Sequence, residues 1–200
     1  NYPTDVKTEI VAHRAGAVFA PENTLAALRT AISSGADMAE IDVQQTRDGA
    51  LVILHDSNLK RTTGLDADIW DVDEKTVKSL DAGSSFSSDF RGEPVPTLKA
   101  MLDAAKDRIQ LMIELKSTGH EHGLVEKTVE QIRAAHMEQE CIIASMDLEL
   151  LEKSKELAPE IRTVYITALL YSDLYDLSYV DGYSVETTSL TSIMLLQAHI

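Results

Sequence analysis

The chain has 200 residues, a formal net charge of −15, 44% hydrophobic residues and 26% charged residues. This length suffices for one sizeable domain with a hydrophobic core, and the composition excludes a disordered chain. The negative charge argues against nucleic acid as a partner and against electrostatic docking on anionic lipid. The single cysteine, Cys141, lies in a strand-like run, so we expect a core residue and no intrachain disulfide.

Strand-like and helix-like segments alternate along the chain. A short apolar run is expected to form a buried strand that ends at His13-Arg14, and the next helix begins in the box Pro21-Glu22-Asn23-Thr24, with Asn23 or Thr24 as its N-cap. The predicted strands are 10–12, 38–43, 51–54, 108–115, 141–145, 163–168 and 181–185. The predicted helices are 21–35, 96–106, 122–136, 147–157 and a last amphipathic helix at 191–199. Such alternation predicts a parallel sheet with crossover helices.

The segment Ser57–Glu93 interrupts this alternation. It is polar and rich in turns, and it is too long for an ordinary connection, so we expect an insertion that shapes one end of the fold. Trp70 lies inside it. We expect Trp70 to pack the insertion rather than to stack on a ligand.

Glu40 and Asp42 stand two positions apart on one predicted strand, so their side chains project from the same face. Two carboxylates on a buried strand repel each other and lose hydration, so they require a cation between them. Oxygen ligands of this kind suit a hard ion such as Mg²⁺ or Ca²⁺. The alternative is that the pair lines an exposed edge and binds nothing. His13 and His55, at two nearby strand ends, favour the metal site.

Chemically active residues gather at one predicted end of the sheet. His13, Glu40, Asp42 and His55, with the Glu114–Lys116 pair, all lie at or near the C-terminal ends of strands. In a (β/α)₈ barrel the active site is built at that end. Period-two alternation also puts Glu114 and Lys116 on one face, and it assigns His55 to the face of Leu51 and Ile53.

As a set, these motifs resemble the glycerophosphodiester phosphodiesterase family, whose members are TIM (β/α)₈ barrels related to phosphatidylinositol-specific phospholipase C. The resemblance covers almost the whole chain. It rests on His13-Arg14, Pro21-Glu22-Asn23-Thr24, Glu40-x-Asp42, His55-Asp56 and Ile113-Glu114-Leu115-Lys116, with softer agreement at Arg61-Thr-Thr-Gly64, Asp81-Ala-Gly83, Pro96-Thr97-Leu98 and Ser145.

The resemblance implies a metal-dependent hydrolysis of glycerophosphodiesters to glycerol 3-phosphate and an alcohol. Its site residues would be Glu40, Asp42 and Glu114 as ligands of Ca²⁺ or Mg²⁺, His13 and His55 as the acid/base pair, and Arg14 and Lys116 as phosphate-binding residues. For Arg14, simple pairing with Glu22 is the alternative. Asn23 and Thr24 are expected to be helix caps without a chemical role.

Two features depart from the family pattern. Ala15 stands where the family usually has glycine directly after His-Arg, which costs about 1 kcal/mol if that position needs a positive φ. About six strand–helix units are present where the family barrel has eight, and the family's late tryptophan-bearing strand is missing. We therefore expect residues 1–200 to form a single barrel domain with an insertion at about 57–93 and without the C-terminal part of the barrel.

Other functions and locations stay open. One alternative is a lysophospholipase D-type enzyme, which needs an apolar groove for which the insertion is the expected place. Another is a catalytically silent barrel that binds glycerophosphate head groups. His120-x-His122 is expected to lie in a solvated loop rather than in a metal site. The absence of an initiator methionine and of a signal pattern suggests a piece of a longer protein, either extracytoplasmic and tethered to a membrane through other chain, or cytoplasmic.

Overall fold

The computed structural model describes residues 9–167, 177–185 and 194–197. The strands are β1 (Val11–Ala12), β2 (Met38–Gln45), β3 (Leu51–Ile53), β4 (Gln110–Leu115), β5 (Cys141–Ser145), β6 (Arg162–Thr167), β7 (Gly182–Val185) and β8 (Met194–Gln197). The helices are α1 (Leu25–Ser33), α2 (Lys60–Thr63), α3 (Glu74–Lys78), α4 (Leu98–Ala105), α5 (Leu124–Ala135) and α6 (Leu148–Leu157). Short 3-10 turns lie at His13–Ala15, Ile69–Asp71 and Ser88–Phe90.

The strands form one curled sheet of the (β/α)₈-barrel type, open as far as the structure describes it. Its order is β1-β2-β4-β5-β6-β7-β8, and the first six of these strands are parallel. Strand β3 pairs antiparallel with the C-terminal end of β2. Within the described ranges β1 and β8 are the outer strands and do not pair with each other. The predicted alternation and parallel sheet are therefore confirmed.

The two faces of the sheet carry different side chains. On β2, Ala39, Ile41 and Val43 face the helices and belong to the main core, where they pack with residues of α1, α4, α5 and α6. The opposite face is the barrel interior. It carries a smaller apolar cluster made of Met38, Met112, Ile142, Ala144, Val164 and Ile166. Period-two alternation places Glu40 and Asp42 on this interior face, directly beyond Met38.

Side-chain caps set the starts of the main helices. Thr24 accepts a hydrogen bond from Ala27 N, Thr97 from Ala100 N, and Asp147 from Glu149 N. These caps satisfy backbone N–H groups that have no partner inside the helix. Of the two expected caps of α1, Thr24 is the one that the structure confirms. Cys141 is fully buried in β5, where burial raises the pKa of its thiol to about 12.

The segment 57–93 packs around a second apolar cluster, in which its residues Leu59, Ile69, Val77 and Ala82 meet the flanking residues Val52, Leu54 and Val95. Trp70 packs against this cluster and stacks on His120, with ring centroids 4.1 Å apart. The unit leaves and rejoins the sheet beside β3, because Ile53 N donates to Pro96 O (2.9 Å) and Val52 bridges to Thr97.

The prediction of a helix at 191–199 is wrong for residues 194–197. These residues form β8, antiparallel to β7. Pairing there satisfies backbone groups of β7 that would otherwise face no neighbour, and this tertiary effect outweighs the apolar spacing. The rest of that predicted helix lies outside the described residues. So does Ala168, the last residue of the predicted strand 163–168. Among the described helices, none combines the length and the apolar character that a membrane span requires.

Candidate active site

Three carboxylates meet at the C-terminal ends of β2 and β4. Asp42 and Glu114 are direct neighbours in the parallel register, and Glu40 lies one step earlier on the same face. One carboxylate oxygen from each lies within 4.8 Å of the others. All three residues are buried, with exposed fractions of 3% for Glu40, 0% for Asp42 and 5% for Glu114. The predicted convergence of the three carboxylates is therefore observed.

Lys116 lies between two of these carboxylates. Its Nζ is 2.8 Å from Asp42 Oδ1 and 2.7 Å from Glu114 Oε1. Burial acts to lower the pKa of Lys116, but the two carboxylates raise it above its usual value, so the side chain is an ammonium. In this structure Lys116 thus compensates the carboxylates, while its predicted contact with phosphate stays a prediction.

One ammonium does not compensate three buried carboxyl groups. Burial and the Asp42 carboxylate raise the pKa of Glu40 well above its usual range, and burial raises the pKa of Glu114 to about 7. Burial alone would also raise the pKa of Asp42, but Lys116 and Asn23 hold it below its usual value. A buried set of oxygen ligands with one ammonium for three carboxyl groups fits a hard divalent cation, for which Glu40, Asp42 and Glu114 would be the ligands.

The His13–Ala15 turn lies against this cluster and brings His13 and Arg14 beside it. Arg14 N donates to Glu40 Oε2 at 2.8 Å, which ties the turn to a carboxylate of the set. His13 Nε2 lies 3.8 Å from the same oxygen. Arg14 and Ala15 both adopt left-handed backbone conformations, with φ of 47° and 59°. Ala15 therefore has the positive φ that its place in the motif suggested, and strain of this kind is typical of functional sites.

His55 follows β3 and is held by two side chains. Arg14 Nη2 lies 3.0 Å from His55 Nε2, and Asp56 Oδ1 lies 2.8 Å from His55 Nδ1. A guanidinium only donates, so Nε2 accepts and Nδ1 carries the proton that it donates to Asp56. β3 ends at Ile53, two residues before His55, and Leu51 and Ile53 pack in the main core.

Arg14 makes one of its two expected contacts, the pairing with Glu22. Its Nη1 lies 3.2 and 3.4 Å from the two carboxylate oxygens of Glu22, so the pairing considered as an alternative is present. Its Nε is buried and has no hydrogen-bond acceptor among the described atoms. The guanidinium therefore retains a donor that neither Glu22 nor His55 uses.

Asn23 belongs to the site, although it was expected to be a helix cap. Its Nδ2 donates to Asp42 Oδ2 at 2.8 Å, and its Oδ1 accepts from Asp42 N at 3.3 Å. Its backbone is left-handed (φ 57°), and its N–H donates to Arg14 O. Asn23 thus fixes the carboxylate of Asp42 and the turn that carries Arg14. Asparagine's tolerance of positive φ was the one sequence signal for this role.

Asp56 is held in turn by Arg61, whose Nε donates to Asp56 Oδ2 at 2.5 Å. This hydrogen bond, with a smaller effect of His55, lowers the pKa of Asp56 to about 2. The carboxylate is therefore ionised throughout the physiological pH range. It can accept a hydrogen bond from His55 Nδ1 without becoming protonated.

We expect Asp56→Asn to change how stability depends on pH. An aspartate in an unfolded chain has a pKa of about 3.9. Because the folded-state pKa is lower, Asp56 contributes stability above the unfolded pKa and loses it as the pH falls toward the folded pKa. The difference in unfolding free energy between wild type and Asp56→Asn should therefore be constant above about pH 5 and shrink between about pH 4 and pH 2. Urea unfolding at several pH values measures it, and a pH-independent difference would contradict the assignment.

An open groove of 490 Å³ adjoins the cluster on its β5–β6 side, with Glu114, Lys116, Ser145, Met146, Asp147 and Tyr165 among its lining residues. On the loop that follows Arg14, Val18 and Phe19 are 74% and 71% exposed. Both features lie at the end of the sheet that carries the carboxylates. The ring of His120 stacks on Trp70.

The family model for the glycerophosphoryl diester phosphodiesterase family matches residues 13–193. A glycerophosphodiester phosphodiesterase of Caldanaerobacter subterraneus subsp. tengcongensis is 38% identical over 159 residues, which cover 78% of this chain and 65% of that relative. The crystal structure of a glycerophosphodiester phosphodiesterase from Agrobacterium tumefaciens has a TM-score of 0.73 at 34% identity, over 80% of this chain and 67% of that one.

An Oleispira antarctica phosphodiesterase, solved in complex with sn-glycerol-3-phosphate, has a TM-score of 0.72 at 33% identity, over 83% of this chain and 68% of that one. The chain spans 65% of the length of the curated relative described above. The matched region contains all the site residues described here. With the barrel fold and the convergent carboxylates, these similarities show that the chain belongs to the glycerophosphoryl diester phosphodiesterase family.

Proposed function

We propose that the protein hydrolyses glycerophosphodiesters to glycerol 3-phosphate and an alcohol, with a divalent cation and two histidines. The observation that carries this proposal is the convergence of Glu40, Asp42 and Glu114 beside His13 and His55. The Oleispira antarctica relative, whose crystal contains sn-glycerol-3-phosphate, supports the product.

The side chains of the site have three roles in this reaction: charge stabilisation, phosphate binding and proton transfer. A cation held by Glu40, Asp42 and Glu114 would stabilise the negative charge that develops on the phosphate. Arg14 binds a phosphate oxygen, and Lys116 binds another once a cation takes over the charge of Asp42 and Glu114. One histidine takes a proton from the attacking hydroxyl, and the other protonates the leaving alcohol. Acid–base chemistry of this kind needs both rings within reach of the phosphate.

Turnover of glycerophosphocholine with Mg²⁺ or Ca²⁺, followed by enzymatic detection of glycerol 3-phosphate, tests this function. We expect release of glycerol 3-phosphate that depends on the cation and shows which ion works. Release of choline phosphate instead of glycerol 3-phosphate would contradict the proposal. Binding of glycerophosphocholine without any turnover would favour the silent barrel.

A lipid substrate is the second candidate, and the exposed Val18 and Phe19 favour it. In the insertion, Leu59, Ile69, Val77 and Ala82 are buried in an apolar cluster, and Phe86 is 46% exposed. The loop at 17–19 presents larger exposed fractions, next to Arg14. A lysophospholipid in the same assay separates the two functions: faster turnover of the lysolipid, lost in Phe19→Ser, would establish the lipid substrate.

A further inference from the structure

Five charged or polar side chains form a closed ring beside the carboxylate cluster: Arg14, Glu22, His55, Asp56 and Arg61. We refer to them as the ion-pair ring. The ring runs from Arg61 Nε to Asp56, from Asp56 to His55 Nδ1, and from His55 Nε2 to Arg14. It closes through Glu22, which accepts from Arg14 and from Arg61. Donors and acceptors alternate all the way round.

We propose that Arg61 is a positioning residue for this site: by holding Asp56 and Glu22 together, it sets the orientation of His55 and the availability of Arg14. Its expected effect on turnover rests on the proposed function, whereas its effect on His55 does not. Arg61 touches neither the carboxylate cluster nor any atom expected to react.

On one side of the ring, Arg61 fixes the acceptor of His55. Its Nε occupies Asp56 Oδ2 (2.5 Å), which leaves Oδ1 to accept from His55 Nδ1 (2.8 Å). The carboxylate cannot rotate without losing one of these bonds. His55 is therefore held with its proton on Nδ1 and its lone pair on Nε2, pointing toward Arg14.

On the other side, Arg61 competes with Arg14 for Glu22. Arg61 Nη2 and Nη1 lie 2.6 and 2.9 Å from the Glu22 oxygens, whereas Arg14 Nη1 lies 3.2 and 3.4 Å from them. The Arg61–Glu22 interaction is shorter and bidentate, so it is the stronger of the two. Glu22 is thus mainly neutralised by Arg61, and Arg14 is left more weakly held and free to bind an anion.

The geometry requires an arginine. Three nitrogens of Arg61 reach two carboxylates in one plane, which a single ammonium cannot reproduce. The side chain is 48% exposed, and exposed ion pairs contribute little to folding stability. We therefore expect loss of Arg61 to affect the site more than the fold.

Arg61→Ala should lower kcat for glycerophosphocholine about 10²-fold, as expected when a catalytic group is misplaced. Free guanidinium, at concentrations far below denaturing ones, should restore part of kcat, and Arg61→Lys should not. Arg133→Ala is the matched control, because Arg133 makes a similar two-nitrogen pair with Glu160 on the helical side and is 43% exposed. It should leave kcat unchanged, and both variants should have similar melting temperatures.

A second measurement does not depend on turnover. Long-range ¹H–¹⁵N correlation spectra should show a single Nδ1–H tautomer of His55 in the wild type and a mixture of tautomers in Arg61→Ala, with guanidinium reversing the change. Wild-type kcat in Arg61→Ala, or loss of kcat with an unchanged His55 tautomer, would overturn the proposal. If the wild type lacks turnover but the tautomer responds as expected, the proposed function fails and the positioning role stands.

Discussion

Replacing His13 or His55 by alanine is expected to lower kcat by about 10²–10⁴-fold, the range for loss of a positioned acid or base. Each ring lies beside the carboxylate cluster without belonging to it: His13 is 3.8 Å from Glu40, and His55 is held by Arg14 and Asp56. Neither replacement removes a metal ligand. Both variants should therefore still gain thermal stability from added Mg²⁺ or Ca²⁺ while losing turnover.

The control for this experiment is His136→Asn. His136 is an exposed histidine at the end of α5, with φ of 55°, and asparagine tolerates that conformation. Its kcat should equal that of the wild type. Near-normal turnover of glycerophosphocholine by His13→Ala or by His55→Ala would remove that residue from the acid–base pair, whereas loss of the metal-induced stabilisation would show that the replacement damaged the carboxylate cluster.

Removing the divalent cation is expected to lower kcat/KM by about 10³-fold, since a bound metal supplies several kcal/mol of charge stabilisation. The folded protein should respond as well. Because the proposed ligands are buried carboxylates that converge only in the folded state, a bound cation should raise the unfolding free energy by about 2.7 kcal/mol at a free concentration 100 times its Kd. Thermal melting with chelator and with graded Mg²⁺ or Ca²⁺ measures this.

Asp42→Asn should abolish the metal-dependent rise in melting temperature together with turnover. Asp42 lies at the centre of the cluster, where Lys116, Asn23 and the Glu114 carboxylate surround it. The control is Asp103→Asn, which makes the same chemical change at an exposed residue of α4 that pairs with Lys99. A chelated protein that retains full turnover would refute the role of the cation, and an unchanged metal response in Asp42→Asn would refute the ligand set.

The Glu40–Asp42 pair could be predicted because it depends on a short-range rule. Alternation along β2 puts both side chains on one face. The strand–helix alternation follows from the same kind of local pattern. Glu114 joins the pair only because β4 lies next to β2 in the sheet, and that expectation came from the family resemblance rather than from periodicity.

Other parts of the site depend on contacts that carry no periodic signal. Asn23 reaches Asp42 across 19 positions, and Arg61 reaches Glu22 across 39. Asparagine is the more favoured N-cap residue of the two, yet Thr24 caps the helix and Asn23 turns toward Asp42. Residues 194–197 show the same limit, because the adjacent β7, rather than their own apolar spacing, determines that they form a strand.

The segment 57–93 joins the sheet in a way that allows it to be exchanged between members of this family, in evolution or by engineering. Its two ends lie side by side at β3, where Ile53 meets Pro96 and Val52 meets Thr97, and its apolar cluster takes in Val52 of β3. An exchange of this unit between homologues therefore leaves the strand order untouched, provided that the incoming unit packs on Val52 and keeps the contact of Glu93 with α1. A successful graft must nevertheless carry an arginine equivalent to Arg61, since that residue is the unit's chemical connection to the catalytic machinery.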